Sequence, residues 1–189
     1  WNMRKVYNFL LITIIVLIII VIGLIVIKYG KNRINEKEIS SALLDIKQAE
    51  QNTTQQLKYK GFDVIGIIQI PKINIEYPIL AVTTKETMRI SITKFWGNGV
   101  NEVGNLCLAG HNNYDGTMFG KAKKLEVGDV INLTDLEGTI KQYTIYDKYI
   151  TNPNDISITE TKEFGSRELT LITCSNGNKE RLIIKAKEI

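Results

Sequence analysis

The sequence ELTLITCSNGNKERLIIKAKEI occupies residues 168–189 and contains two β-favouring runs on either side of a polar turn. The first run delivers Cys174 into the turn, and the second begins at Arg181. Six residues, SNGNKE, separate the two, which is enough for a tight hairpin. Because a hairpin sets the end of its first strand beside the start of its second, we expect Cys174 and Arg181 to lie within side-chain reach of each other.

Short β-favouring runs continue upstream as far as Gly61, with turn residues between them. They are VIGIIQI, IEYPIL, NLCLAG, DVINLT and TIKQYTIYDKYI. Short helical stretches are expected near TKETMRIS and GTMFGKAKKL. Seven or eight strands with turn signals between them, within about 129 residues, predict a mainly β protein with a closed or nearly closed barrel.

The chain contains a single histidine, His111, in the stretch NLCLAGHNNYDGTMFG. It follows a predicted strand and opens a loop rich in Asn, Asp and Gly, a common position for catalytic side chains. A lone histidine or a lone cysteine is more often structural than catalytic. With Cys174 and Arg181, however, His111 completes a set suited to acyl transfer: a thiol nucleophile, a proton carrier and a planar cation for a developing oxyanion.

Three features together resemble one enzyme family. They are TLITC at residues 170–174, the strand-initial Arg181, and a Gly-His pair at 110–111, about 63 residues before the cysteine. The set resembles the sortases, the membrane-anchored cysteine transpeptidases of Gram-positive bacteria, and the likeness covers about residues 61–189. It implies an eight-stranded sortase-type barrel outside the membrane.

The resemblance also implies a role for each site residue. Cys174 would be the nucleophile and His111 its acid/base partner. Arg181 would stabilise the oxyanion or hold the substrate, and Thr173 would help to bind it. No cofactor or metal is expected, because Glu102 is the only acid in FWGNGVNEVGN, the stretch before the histidine strand where calcium-activated relatives place acidic groups.

The implied reaction is cleavage of a C-terminal sorting signal, Leu-Pro-x-Thr-Gly-like, through a thioacyl-enzyme. The partners would be surface proteins that bear the signal and an amine of a lipid II-type cell-wall precursor. Protein anchoring is favoured over pilin polymerisation, because no lid with an aromatic beside Asp-Pro and no second apolar span near the C-terminus is visible. Two alternatives stay open: a membrane-anchored cysteine protease that resolves the thioester with water, and a non-catalytic extracellular peptide-binding barrel.

The run VYNFLLITIIVLIIIVIGLIVI, residues 6–27, is uncharged and long enough to cross a bilayer. A cleaved signal peptide would have a shorter apolar core and a small-residue cleavage site. We therefore expect a transmembrane helix there, a cytoplasmic tail at 1–5, a helical and polar stalk at 28–60, and an extracellular catalytic domain at 61–189. Positive charges on the two sides of the run are nearly balanced, so the orientation, with the N-terminus inside the plasma membrane, follows from the resemblance.

The net charge of +4 is unevenly distributed. Residues 1–60 hold 9 Lys and Arg against 4 Asp and Glu, whereas residues 61–189 hold 15 against 16. A nucleic-acid-binding domain would carry the basic excess itself, so this class is excluded.

A second cysteine, Cys107, lies in the apolar run NLCLAG. The favoured interpretation is a small buried residue. The alternative is a disulfide with Cys174, since two cysteines in an exported domain form an even set, and such a bond would disable the nucleophile.

Overall fold

The computed structural model describes residues 3–49 and 57–189. Helix α1 runs from Met3 to Ala49. The chain divides into two compact units, Trp1–Ala42 and Leu43–Ile189, and all of the described β-structure belongs to the second.

Helix α1 contains the apolar run that was predicted to cross a membrane. Among the described residues, no helix combines the length and the apolar character that crossing a bilayer demands. The described residues do not include residues 1–2 of the predicted tail or residues 50–56 of the predicted stalk. The side chains at residues 6–7 and 25–27 of the predicted span also lie outside the description.

The described residues contain nine strands. Their bounds are β1 Lys58–Tyr59, β2 Phe62–Ile70, β3 Ile75–Leu80, β4 Ile92–Trp96, β5 Gly104–Ala109, β6 Val130–Thr134, β7 Ile140–Thr151, β8 Arg167–Ser175 and β9 Glu180–Glu188. They pair in the order β1-β2-β3-β4-β5-β8-β9-β7-β6, and β6 also pairs with β2. This last pairing closes β2–β9 into an eight-stranded barrel, as predicted, with the two-residue β1 as an extra strand beside β2.

Strands β8 and β9 are buried on both faces, which explains their nearly continuous apolar runs. One face points into the barrel core, where Leu171 and Ile184 are 1% exposed. The other face is covered by the β7–β8 loop, residues 152–166, whose Ile158 packs in a cluster with Ile172 and Ile183. The hairpin that carries Cys174 and Arg181 is therefore held from two sides.

Strand β4 is absent from the predicted runs. It pairs with β3 in parallel through only two positions, Ile79↔Ile92 and Leu80↔Thr93, and antiparallel with β5. Its conformation thus depends on neighbours distant in sequence. The helix expected near TKETMRIS is confirmed as α2, Lys85–Met88, whereas GTMFGKAKKL contains only one short 3₁₀ turn, Ala122–Lys124.

Candidate active site

The β8–β9 hairpin places Cys174 directly opposite Arg181, as expected from the loop length. Opposite residues of an antiparallel pair share a face, with Cβ atoms about 4.5–5.5 Å apart. The turn holds Asn176, Gly177 and Asn178 at φ of 46°, 59° and 73°. Gly and Asn adopt this left-handed conformation more readily than other residues. The Asn-Gly-Asn sequence therefore stabilises the register that brings the thiol and the guanidinium together.

The parallel pairing of β5 with β8 brings His111 to the same place. The last paired residues are Ala109 and Ile172, and the Gly110 N–H donates to the Ile172 carbonyl at 3.2 Å. Strand β5 ends at Ala109, but the same register continued by two residues along each chain would put His111 level with Cys174, about one strand spacing of 4.8 Å away in the backbone. Cys174 thus lies on the strand between those that lead to His111 and Arg181.

The loop that His111 opens is tied to both neighbouring elements. The Asn112 side-chain amide donates to the Cys174 carbonyl at 2.9 Å. The Phe119 N–H donates to the His111 carbonyl at 3.0 Å. Met118 forms an isolated β-bridge with Asn112, and its N–H donates to the Tyr77 hydroxyl at 3.1 Å. These bonds fix the backbone on both sides of the imidazole.

Thr173 lies on the opposite face of β8 from Cys174, because side chains alternate along a strand. It is 5% exposed, and its hydroxyl donates to the Gly110 carbonyl at 2.7 Å. This bond joins the residue before the cysteine to the residue before the histidine. The predicted substrate-binding role of Thr173 stays a prediction; the contact that the structure gives it is one that aligns the two strand ends.

The Arg181 guanidinium is partly buried and folds back over the hairpin turn. Its Nη1 donates to the carbonyls of Asn178 and Glu180, both at 3.1 Å. Its Nε and Nη2 have no partner among the residues that the structure describes. These bonds hold the plane of the guanidinium while leaving donors on the same fork for another acceptor.

His111 also borders a groove of about 460 Å³. The other lining residues come from the β3–α2 connection, α2 and the residue after it: Thr83, Thr84, Lys85, Met88 and Arg89. Within the described part of the chain, no group of three or more His, Cys, Asp or Glu side chains could hold a metal ion. The Glu102 carboxylate accepts the Gly99 N–H at 2.9 Å, so it caps its own loop.

Cys107 is fully buried and free, as favoured, and Cys174 is also free. Cys107 pairs in register with Thr170, four residues along β8 from Cys174, which is about 13 Å of strand. A disulfide requires Cα atoms within about 7 Å, so this backbone does not allow the alternative pairing. Burial raises the pKa of the Cys107 thiol to about 11, which keeps it protonated and unreactive.

A buried polar network that the sequence reasoning missed fastens the β7–β8 loop to the face of the sheet that carries the site. The Ile158 carbonyl accepts Lys185 Nζ at 2.7 Å, Asn105 Nδ2 at 3.1 Å and Cys107 Sγ at 3.8 Å. Lys185 is only 1% exposed, and this burial lowers the pKa of its ammonium group. The alternation of side chains along β9 predicts that Lys185 lies on the same face as Arg181. Its burial, however, depends on the β7–β8 loop that covers this face.

Glu168 is the second fastening point of the loop. It is 4% exposed, and its Oε1 accepts the N–H groups of Lys162 and Glu163, both at 2.9 Å, and the Ser166 hydroxyl at 3.1 Å. Three donors would lose an ionised acceptor if this carboxylate were replaced.

We predict that Glu168→Gln lowers the free energy of unfolding by about 2 kcal/mol, because a neutral amide oxygen would replace the ionised acceptor of three hydrogen bonds in a buried site. For a chain of this size, this corresponds to roughly 4–8 °C in Tm. Thermal unfolding followed by circular dichroism measures the effect. Glu163→Gln, which removes the same charge from an exposed side chain of the same loop, is the control. Equal Tm values for the two variants would contradict the assigned role.

Comparison with known proteins gives a consistent answer. A family model described as Sortase domain matches residues 68–189. Sortase A of Bacillus anthracis is 31% identical over 150 residues, which cover 78% of this chain and 63% of that protein. Sortase D of Bacillus subtilis strain 168 is 30% identical over 179 residues, 85% of this chain and 88% of that protein. A solved Clostridium perfringens sortase D5 transpeptidase has a TM-score of 0.68 and 30% identity, and the match covers 81% of this chain and 99% of that one.

The closed barrel carries a cysteine, a histidine and an arginine at the adjoining ends of three neighbouring strands. This is the architecture of a cysteine-dependent acyl-transfer protein. The chain belongs to the sortase family, whose members are cysteine transpeptidases that act on cell-wall sorting signals. The family is associated with the membrane in Gram-positive bacteria. The chain spans 63% of the length of the Bacillus anthracis relative.

Proposed function

We propose that this chain is a cysteine transpeptidase that cleaves a C-terminal sorting signal and transfers the protein to an amine of a cell-wall precursor. One observation carries the proposal: Cys174 is paired opposite Arg181 on one side, and the β5–β8 register brings His111 level with it on the other. Each of the three side chains alone has an ordinary structural explanation. Their convergence at the adjoining ends of neighbouring strands has no such explanation.

The first half of the reaction forms a thioester. The Cys174 thiolate attacks the carbonyl carbon of the scissile peptide bond, and a C–S bond forms. Arg181, held by the two turn carbonyls, donates to the oxygen that becomes an anion. His111 gives its proton to the departing amine as the C–N bond breaks. The C-terminal fragment leaves, and Thr173 is proposed to help position the signal.

The second half resolves the thioester. The acceptor amine attacks the same carbonyl carbon, a new C–N bond forms and the C–S bond breaks, so that Cys174 leaves as a thiolate. The proton lost by the amine passes to His111, which restores the starting protonation. Surface proteins with a Leu-Pro-x-Thr-Gly-like signal and a lipid II-type precursor are the proposed donor and acceptor.

Mass spectrometry of the full chain with a panel of sorting peptides tests this function. We expect a covalent adduct on Cys174 and, after addition of an amine, a peptide–amine product. Products of hydrolysis alone at every amine concentration would support a protease instead. Absence of the adduct, with peptide binding retained, would support a non-catalytic binding barrel.

We propose further that residues 6–27 anchor the chain in the plasma membrane as a single pass, with the N-terminus inside and the catalytic barrel outside. The run is uncharged. Its large apolar side chains from Phe9 to Leu24 are all between 44% and 68% exposed. The residues between the anchor and the barrel would act as a spacer.

Protease treatment of intact protoplasts tests this topology. We predict that added protease digests the barrel, because an extracellular domain is accessible without lysis. Immunodetection of a C-terminal epitope measures the loss, and a cytoplasmic protein that survives the same treatment is the control. A barrel that is degraded only after lysis would overturn the proposed orientation.

A further inference from the structure

The backbone pairing that leads to the active site stops one residue before the histidine. The last backbone bond of the parallel β5–β8 ladder runs from the Gly110 N–H to the Ile172 carbonyl, at 3.2 Å. Successive bonds of this kind are two residues apart on each strand. The next one would run from the Asn112 N–H to the Cys174 carbonyl, and it would carry the alignment of the two chain segments past His111.

The Asn112 side chain takes the place of this backbone bond. The β5–β8 pairing ends at Ala109 and Ile172, and the Asn112 backbone pairs with Met118 of its own loop in an isolated bridge. The Asn112 Nδ2, however, donates to the Cys174 carbonyl at 2.9 Å. A side-chain amide thus uses the acceptor that the next N–H of the ladder would have used.

A second hydrogen bond joins the same two segments on the other side of the histidine. The Thr173 hydroxyl donates to the Gly110 carbonyl, so the residue before His111 is tied to the residue before Cys174. The Asn112 bond ties the residue after His111 to Cys174 itself. The Thr173 bond is buried and the Asn112 bond is exposed. Because substitutions at exposed positions usually change stability little, the Asn112 bond can be removed without unfolding the barrel.

We propose that Asn112 is a positioning residue of the transfer reaction, and that its amide holds the His111 imidazole where it can protonate the departing amine. This role rests on the proposed function. The amide connects the segment that carries the proton donor to the carbonyl of the nucleophilic residue. Without it, the described hydrogen bonds would join the histidine segment to β8 only through Gly110, on the upstream side of the imidazole.

The chemistry of the leaving group separates proton donation from nucleophilic attack. When the C–N bond of a peptide breaks, the nitrogen must take the proton of the His111 imidazolium, and the donor has to lie within hydrogen-bond reach of it. When the C–O bond of a p-nitrophenyl ester breaks, the p-nitrophenolate leaves with the electron pair and needs no proton. Both substrates undergo the same attack by Cys174 on the carbonyl carbon. The ratio of the two acylation rates therefore reports on proton donation alone.

The test uses the full-length chain and two substrates with the same acyl part: a sorting peptide, and the p-nitrophenyl ester of its segment up to the scissile carbonyl. Single-turnover acylation of Cys174 is followed by intact-mass analysis, with Cys174→Ala as the background. We expect Asn112→Ala to lower the maximal acylation rate with the peptide about 10-fold, because misplacing a catalytic group by about 1 Å can cost on the order of 100-fold. The half-saturating peptide concentration should not change, since the amide contacts the protein and not the substrate. The rate with the ester should stay within about 2-fold of wild type, because no proton is donated to its leaving group.

Asn113→Ala is the matched control. Asn113 is the next residue of the same loop, and its amide donates to the Thr117 hydroxyl at 2.9 Å, within the loop. This variant should keep the wild-type ratio of the peptide rate to the ester rate. Asn112→Leu keeps the bulk of the side chain without the donor and should show the same fall in the ratio as Asn112→Ala. Circular dichroism confirms that each variant is folded.

Two failures are distinguishable. If the sorting peptide never acylates wild-type Cys174, the proposed function fails, and the role of Asn112 fails with it. If wild type is acylated and transfers the peptide, but the ratio does not fall in Asn112→Ala, the transfer function stands and the positioning role is wrong. A wild-type ratio in Asn112→Leu would also overturn it, because the volume of the side chain, and not its hydrogen bond, would then be what matters.

Discussion

Cys174→Ala is expected to abolish both peptide cleavage and the covalent adduct. Alanine has no nucleophilic atom, and within the described residues the other thiol, Cys107, is fully buried about 13 Å along the sheet. Removal of the nucleophile of a covalent mechanism leaves only the residual rate that binding and oxyanion stabilisation provide. Intact-mass analysis and release of the C-terminal fragment of a sorting peptide are the measurements.

Cys107→Ala is the matched control for this variant. It removes the only other sulfhydryl of the chain and should leave the adduct in place, because the buried, protonated thiol has no access to a peptide. Turnover by a folded Cys174→Ala protein would disprove the thioester mechanism. Loss of the adduct in Cys107→Ala, with the fold intact, would show that the cysteine pair acts together.

Arg181→Lys is expected to lower the acylation rate nearly as much as Arg181→Ala, by about 100- to 1000-fold, the typical effect of losing one oxyanion donor. The structure gives the reason. Nη1 already donates to two turn carbonyls, and Nε and Nη2 of the same planar fork have no partner among the described residues. A lysine ammonium keeps the charge but cannot hold the turn and serve a developing oxyanion in a fixed plane.

A rate series on one peptide, with circular dichroism to establish folding, measures this effect. Lys179→Gln is the control, because it removes an exposed cation from the same hairpin without touching the fork, and it should retain most of the wild-type rate. An Arg181→Lys enzyme with most of the wild-type rate would show that only a general positive charge is needed. In that case, the oxyanion role assigned to Arg181 would be wrong.

The largest gap between sequence and structure is the environment of the outer face of the barrel. Glu168 and Lys185 read as ordinary polar positions in β-favouring runs, yet they are 4% and 1% exposed. They are buried because residues 152–166 fold back over the sheet, and nothing local to Lys185 encodes that contact. A buried ammonium is stable there because the Ile158 carbonyl comes to it from 27 residues away in the chain.

The sequence by itself determined what local geometry can determine. The spacing of Cys174 and Arg181 across an Asn-Gly-Asn turn sets their pairing, because a short hairpin has few possible registers. Alternating and continuous apolar runs located most of the strands, because side chains repeat every two residues. The barrel class and the three candidate residues followed from these patterns and from the motif around Cys174.

Only the tertiary structure decided that the strands leading to His111 and Cys174 are neighbours, and which loop covers the outer face of the sheet. Strands β5 and β8 are parallel neighbours, although Ala109 and Ile172 are far apart in the chain, and a parallel pairing of this kind is not fixed by any local turn. Strand β4 exists because β3 and β5 flank it. The groove lined by Lys85 and Arg89 likewise borders His111 because β4 pairs with both β3 and β5, which brings the β3–α2 connection beside the loop that follows β5. The order of the strands is set by long-range pairing, which depends on the burial of many residues at once. Local sequence preferences do not determine this order.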